Sequence, residues 1–378
     1  MTSPRWLLVA LLLAPPAALA RTNWEPRVRA MCDFLLRQQD AHGCLPSTPD
    51  SIRVDGDVTH VLFALAQGYR ETGSDRFRRG LRDGLLWLAS RMDTSRGRWR
   101  GSWRYAYSAK PPYVALATSP CRGVEDGRGY TATSAFFVYL VALYTHSTGD
   151  AALARSLRPH ARCALDFLLE RNLAPNHLFY RGWHLKAGQR EWTVDKMQFA
   201  TDQAAAYLGL RAGGFLLGHA RYDRAADRLA REVPRLLFDE RREAFAPALD
   251  PRGKQMPLDE GWTGYFAQGL LAWAFGSRDE TREAVQWLRQ RHAPDHSVRA
   301  RKADPPYILS AAALCIGCAG THLYPTHRRQ AARWLRDYAL TPEGGVRHVL
   351  APKSPIRNDH AAWVIAAWLG TEPLPFRP

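Results

Sequence analysis

Six stretches of this chain are long enough to be helices and nearly free of charge. They are VTHVLFALAQGY from Val58, TATSAFFVYLVALYT from Thr131, QAAAYLGLRAGGFLL from Gln203, GWTGYFAQGLLAWAF from Gly261, PYILSAAALCIGCA from Pro306 and HAAWVIAAWLG from His360. A helix that is apolar on every side must be buried on every side. Six further stretches are amphipathic and charged, beginning at Glu25, Arg76, Ala151, Arg221, Glu280 and His327, and each keeps one wet face. The two kinds alternate strictly, starting wet and ending dry, at a spacing of roughly 45–75 residues, which reads as an internal repeat of helix pairs. Six dry helices enclosed by six wet ones predict a closed double ring, an all-α (α/α)6 toroid in which the first wet helix meets the last dry one. No extended run of alternating polarity interrupts the pattern, so residues 21–378 read as one domain.

The connections are asymmetric. Links from a dry to a wet helix are short and carry glycine (ETGS at Glu71, STGD at Ser147, FGSRD at Phe275), as a helix C-terminus prefers. Links from a wet to a dry helix are long: 93–129, 173–200, 239–258, 294–304 and 341–357. They contain RWRGSWRYAY, HLFYRGWHLKAGQREW and PLDEGW, too aromatic for disorder. In a ring these long links all emerge on one face, where the dry helices begin.

Ahead of the ring, residues 1–20 have Arg5, an apolar core from Trp6 to Leu13 and Ala18-Leu19-Ala20 before Arg21. This is the pattern of an export signal with a small-residue cleavage site, too short to span a bilayer. We expect a secreted or periplasmic monomer without a transmembrane anchor. The net charge of +16 in an exported protein favours an acidic polysaccharide or an anionic envelope over nucleic acid. Arginine-rich composition alone accounts for it equally well. Export also permits disulfides: Cys32 with Cys44 could pair, and Cys121 and Cys163 are further candidates. Cys315 and Cys318 sit in an apolar run and read as buried thiols. No His/Cys spacing resembles a zinc site, and neither metal nor cofactor is expected.

Acids recur where the dry helices begin: Asp55 and Asp57, Asp202, Asp259 and Glu260, Asp304, Asp359. The second dry helix opens on Tyr130, with Glu125 and Asp126 upstream. Each acid alone reads as a helix cap. Together, beneath aromatic loops, they read as a ring of carboxylates at a sugar-binding mouth, since glycan chemistry needs aromatic faces and proton-transferring carboxyls. The catalytic candidates are Asp202, Glu260, Asp57 and Asp359. The apolar surround of Asp202 suits a general acid, and Glu260 or Asp57 would be its base. Candidate substrate contacts are Trp103, Tyr130, Trp183, Trp192, Trp262, Arg104, Arg181 and His360. Trp99, Arg98, Arg100 and Lys186 belong to the same loops, which should overhang the mouth and grip an acidic sugar.

In its alternating helices and one-sided loops the mature chain resembles the six-hairpin glycosidases, the (α/α)6 toroids. The resemblance implies a cleft built by inner-helix N-termini and a general acid, often with inversion by a base. No motif fixes a particular family, and the adjacent aspartate pair of the α-1,6-mannanase group is absent. The reading is therefore an exported glycoside hydrolase acting on a poly- or oligosaccharide, neutral or acidic. One alternative is a lyase of a uronate-containing glycan, for which Arg357, His360, Tyr180, Arg181 and His184 would supply cation and proton carriers. IRNDHAAW at Ile356 loosely resembles the Asn/His-bearing helix start of alginate lyases. Another alternative is a toroid that only binds glycan. Terpene-cyclase and prenyltransferase toroids share the alternation, but their Asp-rich metal motif and zinc set are missing.

Overall fold

The computed structural model describes residues 24–121, 123–258, 262–299, 305–374 and 376. The export-signal stretch, Asp259, Glu260 and Asp304 lie outside them. The charge-free segments become α2 (Val58–Thr72), α4 (Thr131–Thr148), α6 (Ala200–Leu217), α8 (Trp262–Phe275), α10 (Ile308–Thr321) and α12 (His360–Leu369). The amphipathic ones become α1 (Glu25–Leu36), α3 (Asp75–Arg91), α5 (Ala151–Phe167), α7 (Ala220–Leu237), α9 (Asp279–Gln290) and α11 (Pro325–Tyr338). Every residue of α10 is buried. On α7 only Tyr222, Ala226, Leu229, Ala230, Val233 and Leu237 are, the single stripe expected of a helix with one wet face.

The apolar helices pack in order around a ring, α2 on α4, α4 on α6, α6 on α8, α8 on α10, α10 on α12, and α12 closes back on α2. The amphipathic helices cover them from outside. This is the (α/α)6 toroid. The hole is filled: Phe63 meets Phe136, Trp273 and Trp363 at 5.4–5.8 Å between ring centres, and Phe266 packs on Trp363 at 5.1 Å. His60 stands edge-on to Phe136 and Trp363, so this aromatic plug reaches the first turn of α2.

Short links follow the C-termini of the inner helices. Gly73 and Gly149 turn left-handed there, and His322 does the same after α10. The long links carry what the sequence did not predict, a set of two- to five-residue strands. Arg53–Val54, Ala106–Ser108 and Ala115–Leu116 pair antiparallel. So do Val124–Arg128, Gly182–Lys186 and Thr193–Asp195, and Gln198–Phe199 with Ala248–Leu249. Each set joins neighbouring long links, and further bridges join Tyr307 to Val349 and Arg347 to Ile356. Such pairing requires the links to emerge on one face. They form a rim around the N-termini of the inner helices.

All six cysteines are free thiols, against the expected pairings. Cys32 points into the α1–α2 interface, where its Sγ lies 3.6 Å from the Ala64 carbonyl. Cys44 is buried elsewhere. Cys121 faces His184 on the rim, and Cys163 belongs to α5. Cys315 and Cys318 are buried, as expected, and burial pushes the Cys318 thiol up to about 12.

Candidate active site

Two groups of ionisable side chains stand at the rim. The first is built by the start of α2 and the start of α12. Asp57 and Asp359 occupy the N-cap positions, yet neither side chain caps its helix. Arg357 takes both instead: Nε and Nη2 donate to the two oxygens of Asp359 at 2.8 and 2.9 Å, and Nη2 also donates to Asp57 at 3.1 Å. Asp55 accepts from the Asp57 backbone N–H at 3.1 Å. Two carboxyls thus share one guanidinium, with a third, Asp55, beside them. Burial, then repulsion from Asp55 and Asp359, raises Asp57 to about 8. Asp57 keeps 39% of its side chain exposed, so water screens part of that repulsion. Asp359 titrates below the usual carboxylate range, because His360, Arg357 and His60 outweigh its burial. Burial holds His60 and His360 near 4, neutral at pH 7.

The second group is built by the start of α4, the start of α6 and the strand Gly182–Lys186. Thr131 N–H donates to the Arg181 carbonyl, and Arg181 N–H to that of Met197, which fixes Arg181 between the two helix starts. Its Nη1 donates to Cys121 Sγ at 2.9 Å and lies 4.0 Å from Asp195. His184 Nε2 is the hub: it lies 2.9 Å from the Tyr130 hydroxyl, 3.5 Å from Asp195 Oδ2 and 3.6 Å from Cys121 Sγ. Asp202, in the first turn of α6, does not cap that helix either. Its Oδ2 is out of solvent and has no hydrogen-bond partner among the described residues. Burial raises its pKa to about 7, with Arg181 opposing and Asp195 assisting. The two groups meet through aromatic contact. Tyr105 packs on Tyr130 at 5.3 Å, and its ring lies against Gly56, between Asp55 and Asp57.

Each group contains three donors close enough to share a cation, Cys121, His184 and Asp195 in one and Asp57, His60 and Asp359 in the other. In each, a guanidinium already supplies positive charge, Arg181 in the first and Arg357 in the second, which a metal ion would have to displace.

The structure therefore brings together Asp57, Asp359 and His360 in one group and Asp202, Tyr130 and Arg181 in the other. His360 backs Asp359 from 3.9 Å and is itself buried, so it cannot meet a substrate directly. Several expected contacts are elsewhere. Trp103 is core: it is 3% exposed, packs on Phe137 and donates to the Leu88 carbonyl. Trp183 neighbours His184 in a strand, so the two point to opposite faces. Trp183 turns away from the mouth, donating to Asn172 and meeting Trp99 at 5.5 Å. Trp192 meets Trp99 on that same outer face. Arg104 is not free for a sugar, because Asp126 holds it in an ion pair. Glu260 and the side chain of Trp262 lie outside the described residues. Sequence reading named His184 and Arg357 for the lyase alternative and Asp55 among the acids at the helix starts, but it had no signal for Asp195 or for Cys121 as a rim group.

Comparison with protein-family models and with curated proteins finds no match. Solved structures do match over nearly the whole chain. A D-mannose isomerase superposes with a TM-score of 0.64 at 12% identity, covering 94% of this chain and 99% of its own. An unsaturated glucuronyl hydrolase responsible for glycosaminoglycan degradation, from Bacillus sp. GL1, gives 0.63 at 15%, covering 92% and 96%. An inactive variant of the α-1,6-mannanase GH76A of Salegentibacter sp. HEL1_6, in complex with α-1,6-mannotriose, gives 0.60 at 11%, covering 92% and 98%. At this identity the likeness is one of fold, the (α/α)6 toroid, and of nothing finer.

Proposed function

We propose that the chain is a carbohydrate-active enzyme, a glycoside hydrolase working at the rim, exported to where polysaccharide is met. The observation that carries the reading is the unpartnered, buried oxygen of Asp202 at the same mouth as a carboxylate, Asp359, that Arg357 keeps ionised. Glycoside hydrolysis needs one carboxyl that is protonated and one that is not. Asp202, near 7, is the proton donor, and Asp359 is the ionised partner. Glu260 is the other candidate for that second role, whereas Asp57, expected from sequence as a base, is raised to about 8 and falls on the protonated side. The fold neighbours named as a glucuronyl hydrolase and a mannanase support the substrate class.

A second reading rests on a different observation, the Tyr130–His184 hydrogen bond beside Arg181. A neutral His–Tyr pair next to a guanidinium suits removal of a proton from a uronate, the chemistry of a lyase.

Incubation with a panel of neutral and uronate-containing oligosaccharides separates the readings. Under the hydrolase reading products have saturated ends, and Asp202→Asn lowers turnover by about 100-fold or more while His184→Asn lowers it far less. Unsaturated, ultraviolet-absorbing products with the reverse ranking of variants assign the lyase. Conversion of a sugar with no glycosidic bond broken would overturn both.

A further inference from the structure

Away from the mouth, a cavity of about 590 Å³ opens on the outer wall between residues 97–100 and α5. This lies in the size range of sites that hold small ligands. Five arginines line it, Arg98, Arg100, Arg158, Arg162 and Arg171, against two acids, Asp166 and Glu170. Asp166 is already taken by Arg221 and the Tyr222 hydroxyl. None of the five guanidinium groups forms an ion pair among the described residues.

The groove is firmly built. Gly101 presses on α5 so closely that a Cβ there would stand 2.0 Å from the Cys163 carbonyl oxygen, which seats residues 97–101 against the helix. Arg98 lies over the rings of both Trp99 and Trp183, at 4.5 and 4.8 Å. These are the tryptophans that turn away from the mouth. Arg158 and Arg162 project from one face of α5 four residues apart, about 6 Å along the axis, comparable with one sugar residue of an extended chain.

We propose that this groove is a second binding site, separate from the mouth, for a segment of glycan carrying carboxylate or sulfate groups. Guanidinium forks match such anions with paired hydrogen bonds, and unpaired cations held together repel one another until an anion joins them. A concave groove lined by guanidinium groups that the tryptophans beneath Arg98 help to position suits an oligosaccharide better than a flat lipid surface or a duplex. The choice of sugar as carrier rests on the proposed function, whereas the binding of a polyanion does not.

The probe is trigalacturonate on the full chain, with maltotriose as its neutral counterpart. Cys163 lines the groove and is half-buried, so alkylation mapped by mass spectrometry reports occupancy without reference to turnover. Trigalacturonate should slow modification of Cys163, maltotriose should not, and the protection should fade as salt screens the charges. Arg158→Ala/Arg162→Ala should weaken binding about tenfold or more, a change above 1 kcal/mol at this conversion. The control Arg79→Ala/Arg155→Ala, which removes the same charge from exposed positions outside the groove, should not. Protection that persists in Asp202→Asn while turnover is lost places the site apart from the mouth. If wild-type protein shows the protection but converts no glycan, the proposed function fails and the groove stands. An unprotected Cys163, an equal loss in the control, or protection only by anionic vesicles or an oligonucleotide would overturn the proposal.

Discussion

Asp202, Asp57 and Asp359 all stand where a helix begins, and sequence gives every reason to read them as caps. None of the three caps a helix. Asp202 is the sharpest case, because an unpartnered buried carboxyl oxygen is unfavourable unless its group stays protonated. Its folded pKa, about 7, lies above the ordinary unfolded value of about 3.9. The fold therefore favours the protonated form. The stability this provides is fully present below about pH 4 and is lost as the pH rises through 7. Asp202→Asn removes that loss. The variant should match wild type in denaturant melts at pH 4 and exceed it by about 1–2 kcal/mol at pH 8, less than the full shift because the residue is partly solvated. A variant less stable than wild type at pH 8 would mean that the carboxylate makes favourable contacts in the fold. Stabilisation together with lost turnover is the signature of a group retained for chemistry.

At the scale of elements, the inner helices approach one another through glycine. A Cβ on Gly269 of α8 would stand 2.2 Å from the Ala313 carbonyl of α10. Replacing glycine by alanine in a helix usually stabilises by up to about 1 kcal/mol. Here the neighbour is backbone and cannot step aside, so Gly269→Ala should destabilise by about 1–3 kcal/mol, as overpacking does. Urea unfolding reads the sign directly, and a stabilised variant would show that α8 and α10 are free to separate. The long links are tied down by buried amides. Gln203 and Gln268, on α6 and α8, each exchange two hydrogen bonds with a loop backbone, at Phe179 and Phe245. The helices were legible because a run of a dozen apolar residues leaves no other solution, and so was the rim, because all long links follow wet helices. The strands were not, since two to five residues carry too little alternation to detect. That gap misplaced Trp183 and Trp192: adjacent to His184 in sequence, Trp183 is on the opposite face of the sheet. The Asp57–Arg357 contact was equally hidden, spanning 300 positions.

At the scale of the molecule, everything depends on closing a ring between the two ends of the described chain. Trp24, before α1, stacks on Trp368 of α12 at 5.3 Å with the rings 2° from parallel. Gln67 of α2 donates to the Ala362 carbonyl and accepts from Thr371. Asn358 donates to Gln38 and to the Pro46 carbonyl. The same seam carries Asp57, Arg357 and Asp359, so half of the candidate site exists only once the ring is shut. Contacts this distant in sequence pay their loop-closure entropy before they return any stability. The seam should thus behave as one cooperative unit with the site. A double-mutant cycle on Trp24→Ala and Trp368→Ala tests this. Stacked rings are worth about 0.5–1.5 kcal/mol beyond their burial, so the double variant should lose that much less than the sum of the singles in urea melts. Both singles should also reduce turnover by altering how Asp359 is held, without touching substrate. Strict additivity, with turnover unchanged, would show that the ring closes through α2 and α12 alone and that α1 merely covers the seam.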